Sequence, residues 1–207
     1  MKDQYKNIAK WYDKIFQPLM RGLRNIGLQM FPVEAGMNVL DIGCGTGAHL
    51  KIYQNEDCNI YGVDLSAAMI EMARVKLGEK AILLLGSATD LNFGDVQFDL
   101  ILCTTVLHEM AQNIREEVLS EAKRVLKSRG RILLIDFHPG PIKKLKGVYS
   151  KIIITIAEIL AGGDHYRNYR HFIRNGGLPN LIKSSGLQIE AQKIVSGGNF
   201  GLFLLKS

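Results

Sequence analysis

Val39-Leu-Asp-Ile-Gly-Cys-Gly-Thr-Gly-Ala48 joins a short apolar run to a glycine-rich turn and the start of a helix. Glycine has no Cβ that could keep a ligand away from the backbone, and it accepts backbone angles that other residues avoid. Asp41 places a carboxylate at the tip of the predicted strand, just before the turn. The stretch therefore predicts a nucleotide-like ligand held largely by main-chain atoms, and it leaves open which ligand that is.

Strand and helix patterns alternate on the C-terminal side of this stretch. Such alternation predicts a mostly parallel sheet with helices on both faces, and ligands bind such sheets at the carboxyl ends of the strands. Gly130 is predicted to end the helix that precedes the fifth strand. The predicted strands are Met37–Ile42, Asn59–Val63, Ala81–Leu85, Phe98–Cys103, Arg131–Phe137 and a final hairpin of Gln188–Val195 and Asn199–Leu205; the predicted helices are Gly47–Gln54, Ser66–Leu77, Asn113–Lys127 and Leu178–Ser185.

The 207 residues predict a single domain with four parts. Residues 1–35 are predicted to form a helical flap that Pro18 kinks or splits. Residues 36–137 form the cofactor-binding core, 138–170 an inserted and partly helical lid, and 171–207 a helix followed by the hairpin. The apolar run Ile152–Ala161 within the lid contains Glu158 and is too short to span a bilayer.

Composition narrows the class of protein further. The net charge is +6, but apart from Lys143, Lys144 and Lys146 the charges are scattered, so nucleic-acid binding is not favoured. The three cysteines have no CxxC spacing, which predicts a reduced, cytoplasmic chain without a disulfide framework or a cysteine-based metal site. No metal is predicted. The polar N-terminus has no apolar segment typical of a signal peptide.

Two ligand classes compete for the glycine-rich turn. Gly43-x-Gly45-x-x-Ala48 satisfies the dinucleotide fingerprint, and Asp64 follows about 20 residues later, as a ribose-binding acid should. This arrangement alone would suit an NAD-dependent dehydrogenase. However, Asp41 would repel a diphosphate and attract an ammonium group, and Gly47 is predicted to open the turn further. A ligand with a ribose, a cationic end and no phosphate therefore fits better.

Four segments in order resemble those of the class I S-adenosylmethionine-dependent methyltransferases. They are Val39–Gly47, Tyr61–Ser66, Phe98–His108 and Arg124–Leu134, and together they cover about residues 36–137. The resemblance implies a Rossmann-like, seven-stranded, mostly parallel sheet with an antiparallel strand near the C-terminus. It also implies S-adenosylmethionine as methyl donor and S-adenosylhomocysteine as product.

The resemblance implies which residues bind the donor. Asp64 would bind the ribose hydroxyls. Ser87 stands where the family often has an acid for the adenine amino group, so Ser87 itself, Asp90 or the backbone of Ala88 could make that contact. The full implied set is Tyr12, Asp41, Gly43, Cys44, Gly45, Thr46, Gly47, Asp64, Leu65, Met69, Ser87, Ala88, Thr89, Cys103 and Thr104.

The sequence says less about the methyl acceptor. The donor methyl is already activated, so the enzyme mainly aligns the reactants, and a base is needed only if the acceptor loses a proton. His108 and His138 are the predicted catalytic residues; further candidates at strand ends or in the lid are Glu109, Asp136, His165 and Tyr166. Cys103-Thr-Thr-Val106 replaces the Asn/Asp-Pro-Pro-Tyr sequence of amino-group methyltransferases, which favours a small-molecule acceptor.

The C-terminal third adds a looser resemblance. Residues 149–207, including Gly162-Gly163-Asp164-His165-Tyr166, are similar to the same part of ubiquinone/menaquinone C-methyltransferases. This implies an amphipathic, quinone-like acceptor, and an apolar lid flanked by lysines would suit transient contact with a membrane surface. A nucleic-acid or protein methyltransferase and a cofactor-binding protein without catalysis stay open as alternatives, and the sequence does not indicate the oligomeric state.

Overall fold

The computed structural model describes residues 9–207, except for the side chains of residues 9–19, 144 and 146. Strands and helices alternate along much of the chain, except that the fourth strand follows the third without an intervening helix and three consecutive helices precede the final hairpin. Their bounds are α1 Ala9–Met30, β1 Asn38–Ile42, α2 Leu50–Gln54, β2 Asn59–Asp64, α3 Ala67–Leu77, β3 Ala81–Leu85, β4 Phe98–Thr104, a 3₁₀ turn Leu107–Glu109, α4 Gln112–Val125, β5 Leu126–Phe137, α5 Lys144–Ala161, α6 Gly163–Arg174, α7 Gly177–Ser185, β6 Gln188–Val195, a 3₁₀ turn Ser196–Gly198 and β7 Phe200–Lys206.

The seven strands form one sheet in the order β3-β2-β1-β4-β5-β7-β6. Strands β1 to β5 pair in parallel, and β7 runs antiparallel to both of its neighbours. The predicted fold class is thereby confirmed. The parallel register also aligns the strand ends, because Ile42 lies opposite both Val63 and Cys103. The loops that leave β1, β2 and β4 therefore meet at one edge of the sheet.

The core explains why the central strands are so apolar. Side chains of β1, of β4 and of β5 from Ile132 to Phe137 are mostly buried, as expected for strands covered on both faces. Helix α4 buries one stripe and exposes the other, as its sequence pattern predicts. Helix α3 contacts both α1 and α2, and α4 contacts α7. Among residues 9–207, no helix combines the length and the apolar character that crossing a bilayer requires.

Two local predictions differ from the structure. Helix α1 is one continuous helix through Pro18 and is neither split nor interrupted there. Gly130 does not end a helix, because α4 already ends at Val125 and Gly130 lies inside β5. It is packed so closely that an added Cβ would lie 2.9 Å from the carbonyl oxygen of Phe98. Residues 138–170, which were predicted to be partly helical, contain α5 and the first part of α6.

Candidate functional site

The glycine-rich turn after β1 has the backbone that its sequence predicts. Gly45 has a φ of +53°, and a Cβ added to it would meet no atom within 4 Å, so this part of the turn is open to a ligand. The prediction that Gly47 opens the turn is wrong. An added Cβ there would lie 2.7 Å from Cδ1 of Leu77, so Gly47 allows close packing of the turn against α3.

Asp64 links the ends of β1 and β2. Its Oδ2 accepts a hydrogen bond of 2.8 Å from the amide of Gly45, and its Oδ1 accepts one of 2.8 Å from the amide of Ser66. The carboxylate is thus held on both oxygens by main-chain donors, and it also lines the cavity described below. Ser66 in turn caps α3, since its side chain accepts a hydrogen bond from the amide of Met69.

Asp41 is a buried acid in the core beneath the turn. Burial raises the pKa of its carboxyl to about 8, against the opposing effect of the Arg24 guanidinium, and the Asp64 carboxylate raises it further. Its Oδ1 accepts no hydrogen bond from any residue that the structure describes. Asp41 does not line the cavity, so it can act on a bound cation only through the field of its charge.

A cavity of about 600 Å³ opens at the carboxyl ends of β1, β2 and β4. It brings together the predicted donor residues Gly43, Gly45, Asp64, Leu65, Met69, Ser87, Ala88, Thr89 and Thr104. Sequence reasoning did not assign to the donor site the other lining residues, Val63, Ser66, Ala67, Gly86, Thr105, Val106, Glu109, Met110, Ala111, Ile114 and Val118. Most of these follow β4, where the sheet topology alone indicates that a ligand would lie.

Five predicted donor residues do not line this cavity. They are Asp41, Cys44, Thr46, Gly47 and Cys103, all of which are buried. Burial raises the pKa of the Cys44 and Cys103 thiols, and nearby carboxylates raise it further. The side chain of Tyr12, the remaining predicted residue, lies outside the part of the chain that the structure describes.

Ser87 stabilises the loop after β3 by hydrogen bonds within that loop. The Ser87 hydroxyl lies 2.8 Å from that of Thr89 and accepts a hydrogen bond of 3.2 Å from the Thr89 amide. Ser87 therefore reaches the cavity as part of a small hydrogen-bonded turn. Asp90, the alternative adenine contact, is exposed and does not line the cavity.

His108 lies in the 3₁₀ turn after β4 and is buried. Its Nδ1 lies 2.7 Å from Oδ1 of Asp136, at the end of β5, and its amide donates to Oδ2 of the same residue over 3.2 Å. Burial lowers the pKa of His108, but the Asp136, Glu109 and Glu158 carboxylates outweigh it and raise the pKa to about 9. His108 does not line the cavity, whereas the adjacent Glu109 does.

His138, the other predicted catalytic residue, occupies a different environment. Its Nδ1 accepts a hydrogen bond of 3.2 Å from the amide of Gly140, and its ring stacks on Phe203 at a centroid distance of 6.4 Å. Burial lowers the pKa of His138. Because it does not line the cavity, the structure does not bring His138 to the donor site.

Arg115 is a buried charge that the sequence analysis missed. Its guanidinium donates to the carbonyl oxygens of Leu107, His108 and Asn168 at 2.7, 3.3 and 3.0 Å, and it lies over the ring of Phe172. It therefore connects the 3₁₀ turn to α6. The sequence could have indicated this role, because Arg115 lies on the apolar stripe of α4, where a charged residue must have buried partners.

A second buried cluster lies beside His108. Nε2 of His165 is 2.9 Å from Oε2 of Glu158, and Nε2 of His108 is 3.6 Å from the same oxygen. His108, Glu158 and His165 can offer ligand atoms within 4.8 Å of one another, a spacing that could hold a metal ion. Sequence reasoning named both histidines singly but did not connect them through Glu158.

Comparison with known proteins agrees with the fold and the turn. The family described as "Methyltransferase domain" matches residues 40–134. The ubiquinone/menaquinone biosynthesis C-methyltransferase UbiE of Paraburkholderia phymatum is 30% identical over 94% of this chain and 86% of its own length. An uncharacterized methyltransferase of Synechocystis is 32% identical, but this match spans only about half of each chain, 54% of this one and 52% of the other.

Solved structures share the fold at low sequence identity. A Haloferax volcanii chain solved in complex with the Trm112 methyltransferase activator has a TM-score of 0.72 at 17% identity, with 100% of this chain and 98% of that chain covered. A Burkholderia thailandensis 1,6-didemethyltoxoflavin-N1-methyltransferase, solved with its substrate and S-adenosylhomocysteine, has a TM-score of 0.64 at 15% identity, with 91% and 77% covered.

Proposed function

Because this chain belongs to the class I S-adenosylmethionine-dependent methyltransferases, we propose that it methylates a small, amphipathic, quinone-like molecule. S-adenosylmethionine is the methyl donor of the family. The proposed donor site is the cavity edge formed by Gly45, Asp64 and the loop after β3, where Asp64 would accept hydrogen bonds from the ribose hydroxyls. The carboxyl of Asp41 is protonated at neutral pH in the ligand-free protein, and the cationic end of a bound donor would favour its ionised form.

The observation that carries the acceptor class is the two-sided character of α5. This helix turns Glu158 inward onto the histidines near the strand ends, while many large apolar residues face outward. The exposed fraction is 68% at Tyr149, 53% at Ile152, 52% at Ile156 and 81% at Leu160. An exposed apolar surface of this kind is typical of contact with a membrane or with an amphipathic ligand.

The neighbouring helix α6 adds positive charge to the same region. It contacts α5 and exposes Arg167, Arg170 and Arg174. Basic residues beside an apolar helix face favour an anionic lipid surface. We therefore treat α5 and α6 as the predicted lid, which would receive the acceptor from a membrane surface and close over the donor. Transfer itself needs the acceptor to be aligned with the sulfonium methyl and water to be excluded.

Labelled S-adenosylmethionine tests this proposal directly. The protein is incubated with the methyl-labelled donor and a cell extract, and the products are separated into lipid-soluble molecules, water-soluble small molecules, nucleic acid and protein. We expect the label in the lipid-soluble fraction. Label in nucleic acid or protein would support the alternative methyltransferase classes, and binding of S-adenosylhomocysteine without any transfer would support a non-catalytic role.

A further inference from the structure

We propose that His108, Glu158 and His165 bind a divalent transition-metal ion, of the zinc type, next to the donor cavity. The three residues come from three separate elements. His108 lies in the 3₁₀ turn after β4, Glu158 in the last turns of α5 and His165 in the first turn of α6. All three are buried, and their ligand atoms lie within 4.8 Å of one another.

The spacing of the ligand atoms supports a metal site. Zinc binds imidazole nitrogen and carboxylate oxygen at about 2.0–2.2 Å in tetrahedral geometry, which separates neighbouring ligand atoms by roughly 3.3–3.5 Å. The Glu158 oxygen lies 3.6 Å from Nε2 of His108 and 2.9 Å from Nε2 of His165. These two distances bracket the expected value, and the ligand atoms of the two histidines lie within 4.8 Å of each other.

Glu158 provides a second, independent observation. Its Oε2 is buried but accepts no hydrogen bond in suitable geometry from any residue that the structure describes, although two imidazole nitrogens lie close to it. A buried carboxylate oxygen without a hydrogen bond is costly. A cation between this oxygen and the two rings would remove that cost, and it would also explain a glutamate in the middle of an apolar run.

The surroundings of the cluster match those of known metal sites. Histidine ligands usually donate their second ring N–H to a carboxylate, which fixes the ring and raises its basicity. Asp136 occupies this place, 2.7 Å from Nδ1 of His108, and leaves Nε2 directed at the cluster. Two histidines and one glutamate form a ligand set found in catalytic zinc sites, where the fourth position is taken by water or substrate.

Glu109 connects the cluster to the cavity. Its Oε1 lies 3.9 Å from Nε2 of His108 and 3.8 Å from Nε2 of His165, and the residue lines the cavity. The fourth position of the ion would therefore face the cavity. In this role, which rests on the proposed function, a hydroxyl oxygen of the acceptor binds the ion and its proton passes to Glu109. The bound ion makes this proton easier to remove at neutral pH.

Zinc binding can be measured without any methyl acceptor. The chelator-treated protein is dialysed against increasing zinc chloride, and the bound metal is quantified. We expect about one zinc ion per chain in the wild type and in His171→Ala, a control that removes an exposed histidine from the same helix, α6. Glu158→Gln and His165→Ala should each lower the affinity by more than about 100-fold, and Asp136→Asn by about 10- to 100-fold.

The outcomes separate this inference from the proposed function. Binding of S-adenosylhomocysteine by calorimetry checks that each variant is folded. If the wild type binds no zinc, or if Glu158→Gln binds it as tightly as the wild type does, the metal site is wrong whatever the acceptor. If zinc binds as expected but no lipid-soluble product forms, the metal site stands and the proposed function fails.

Discussion

The donor half of the molecule, residues 36–104, and the α5–α6 pair are stabilised in different ways. In the donor half, main-chain groups converge on a few side chains, as when Asp64 accepts hydrogen bonds from the amides of Gly45 and Ser66. The α5–α6 pair is joined to the core by buried side chains from distant parts of the sequence, chiefly Arg115, Glu158 and His165. A site built on the backbone leaves a local sequence signature, and a site built on side-chain clusters does not.

Removing Arg115 should have the largest effect, because it breaks the connection between the core and α6. Arg115→Met leaves the carbonyl oxygens of Leu107, His108 and Asn168 without their buried donor. We expect the free energy of unfolding to fall by about 3–5 kcal/mol, measured by urea denaturation. Arg74→Ala, which removes an exposed pair with Glu71, should change it by less than about 1 kcal/mol. Equal effects of the two variants would contradict the role given to Arg115.

Removing Asp64 should weaken binding at the donor site and leave the α5–α6 pair unchanged. Asp64→Ala should weaken binding of S-adenosylhomocysteine by roughly 1.5–3 kcal/mol, the value of hydrogen bonds to a charged group. Isothermal calorimetry measures this loss. The control is Asp90→Ala, which removes an exposed acid that does not line the cavity. Unchanged affinity of Asp64→Ala would exclude Asp64 from the donor site, and a large loss in Asp90→Ala would assign it the adenine contact.

Asp41 should make the stability of the donor half depend on pH. Its carboxyl has an unfolded pKa of 3.8 and a folded pKa of about 8. The native state therefore keeps a proton that the unfolded state loses, so the stabilisation is complete below pH 4 and is lost as the pH rises through 8. The slope should be up to about 1.4 kcal/mol per pH unit.

Asp41→Asn isolates this contribution. The variant cannot ionise at position 41, so its free energy of unfolding should fall less steeply than that of the wild type between pH 4 and 8. Urea denaturation of both ligand-free proteins across this range measures the difference, and Asp90→Asn is the matched control at an exposed acid. Parallel curves for wild type and Asp41→Asn would show that Asp41 is already ionised in the native state.

The smallest effect on stability should come from the outer face of α5. Ile156 has an exposed fraction of 52%, so Ile156→Ser should change the free energy of unfolding by no more than about 0.5 kcal/mol. Binding to anionic lipid vesicles, measured by co-sedimentation, should nevertheless fall. The exposed Val75→Ser on α3, whose fraction is 82%, serves as the control and should bind vesicles as the wild type does. Equal vesicle binding by all three proteins would contradict membrane contact through α5.

The same contrast explains how much the sequence could predict. The mostly parallel sheet and the glycine-rich turn after β1 followed from local patterns, since alternating apolar strands and a glycine spacing constrain the backbone directly. The end of α4 was predicted less well, because the close contact of Gly130 with Phe98 joins segments about 30 residues apart. Such a glycine looks like a helix stop when only its neighbours are considered.

The cluster beside the cavity lies beyond local prediction for a related reason. Glu158 appeared only as an interruption of an apolar run, and His165 only as one isolated candidate residue in the lid. Their proximity to His108 depends on the packing of α6 against the turn after β4 and of α5 against α6. Nothing in the spacing of positions 108, 158 and 165 encodes that packing.

The buried cysteines allow opening of the core to be measured by thiol labelling. Alkylating reagents react with the thiolate, so Cys44 and Cys103 should be labelled only when the structure around them opens. The chain has three cysteines, Cys44, Cys58 and Cys103, and all of them belong to the donor half. The rate of labelling therefore reports opening of the donor half, and it does not respond to movements confined to α5 and α6.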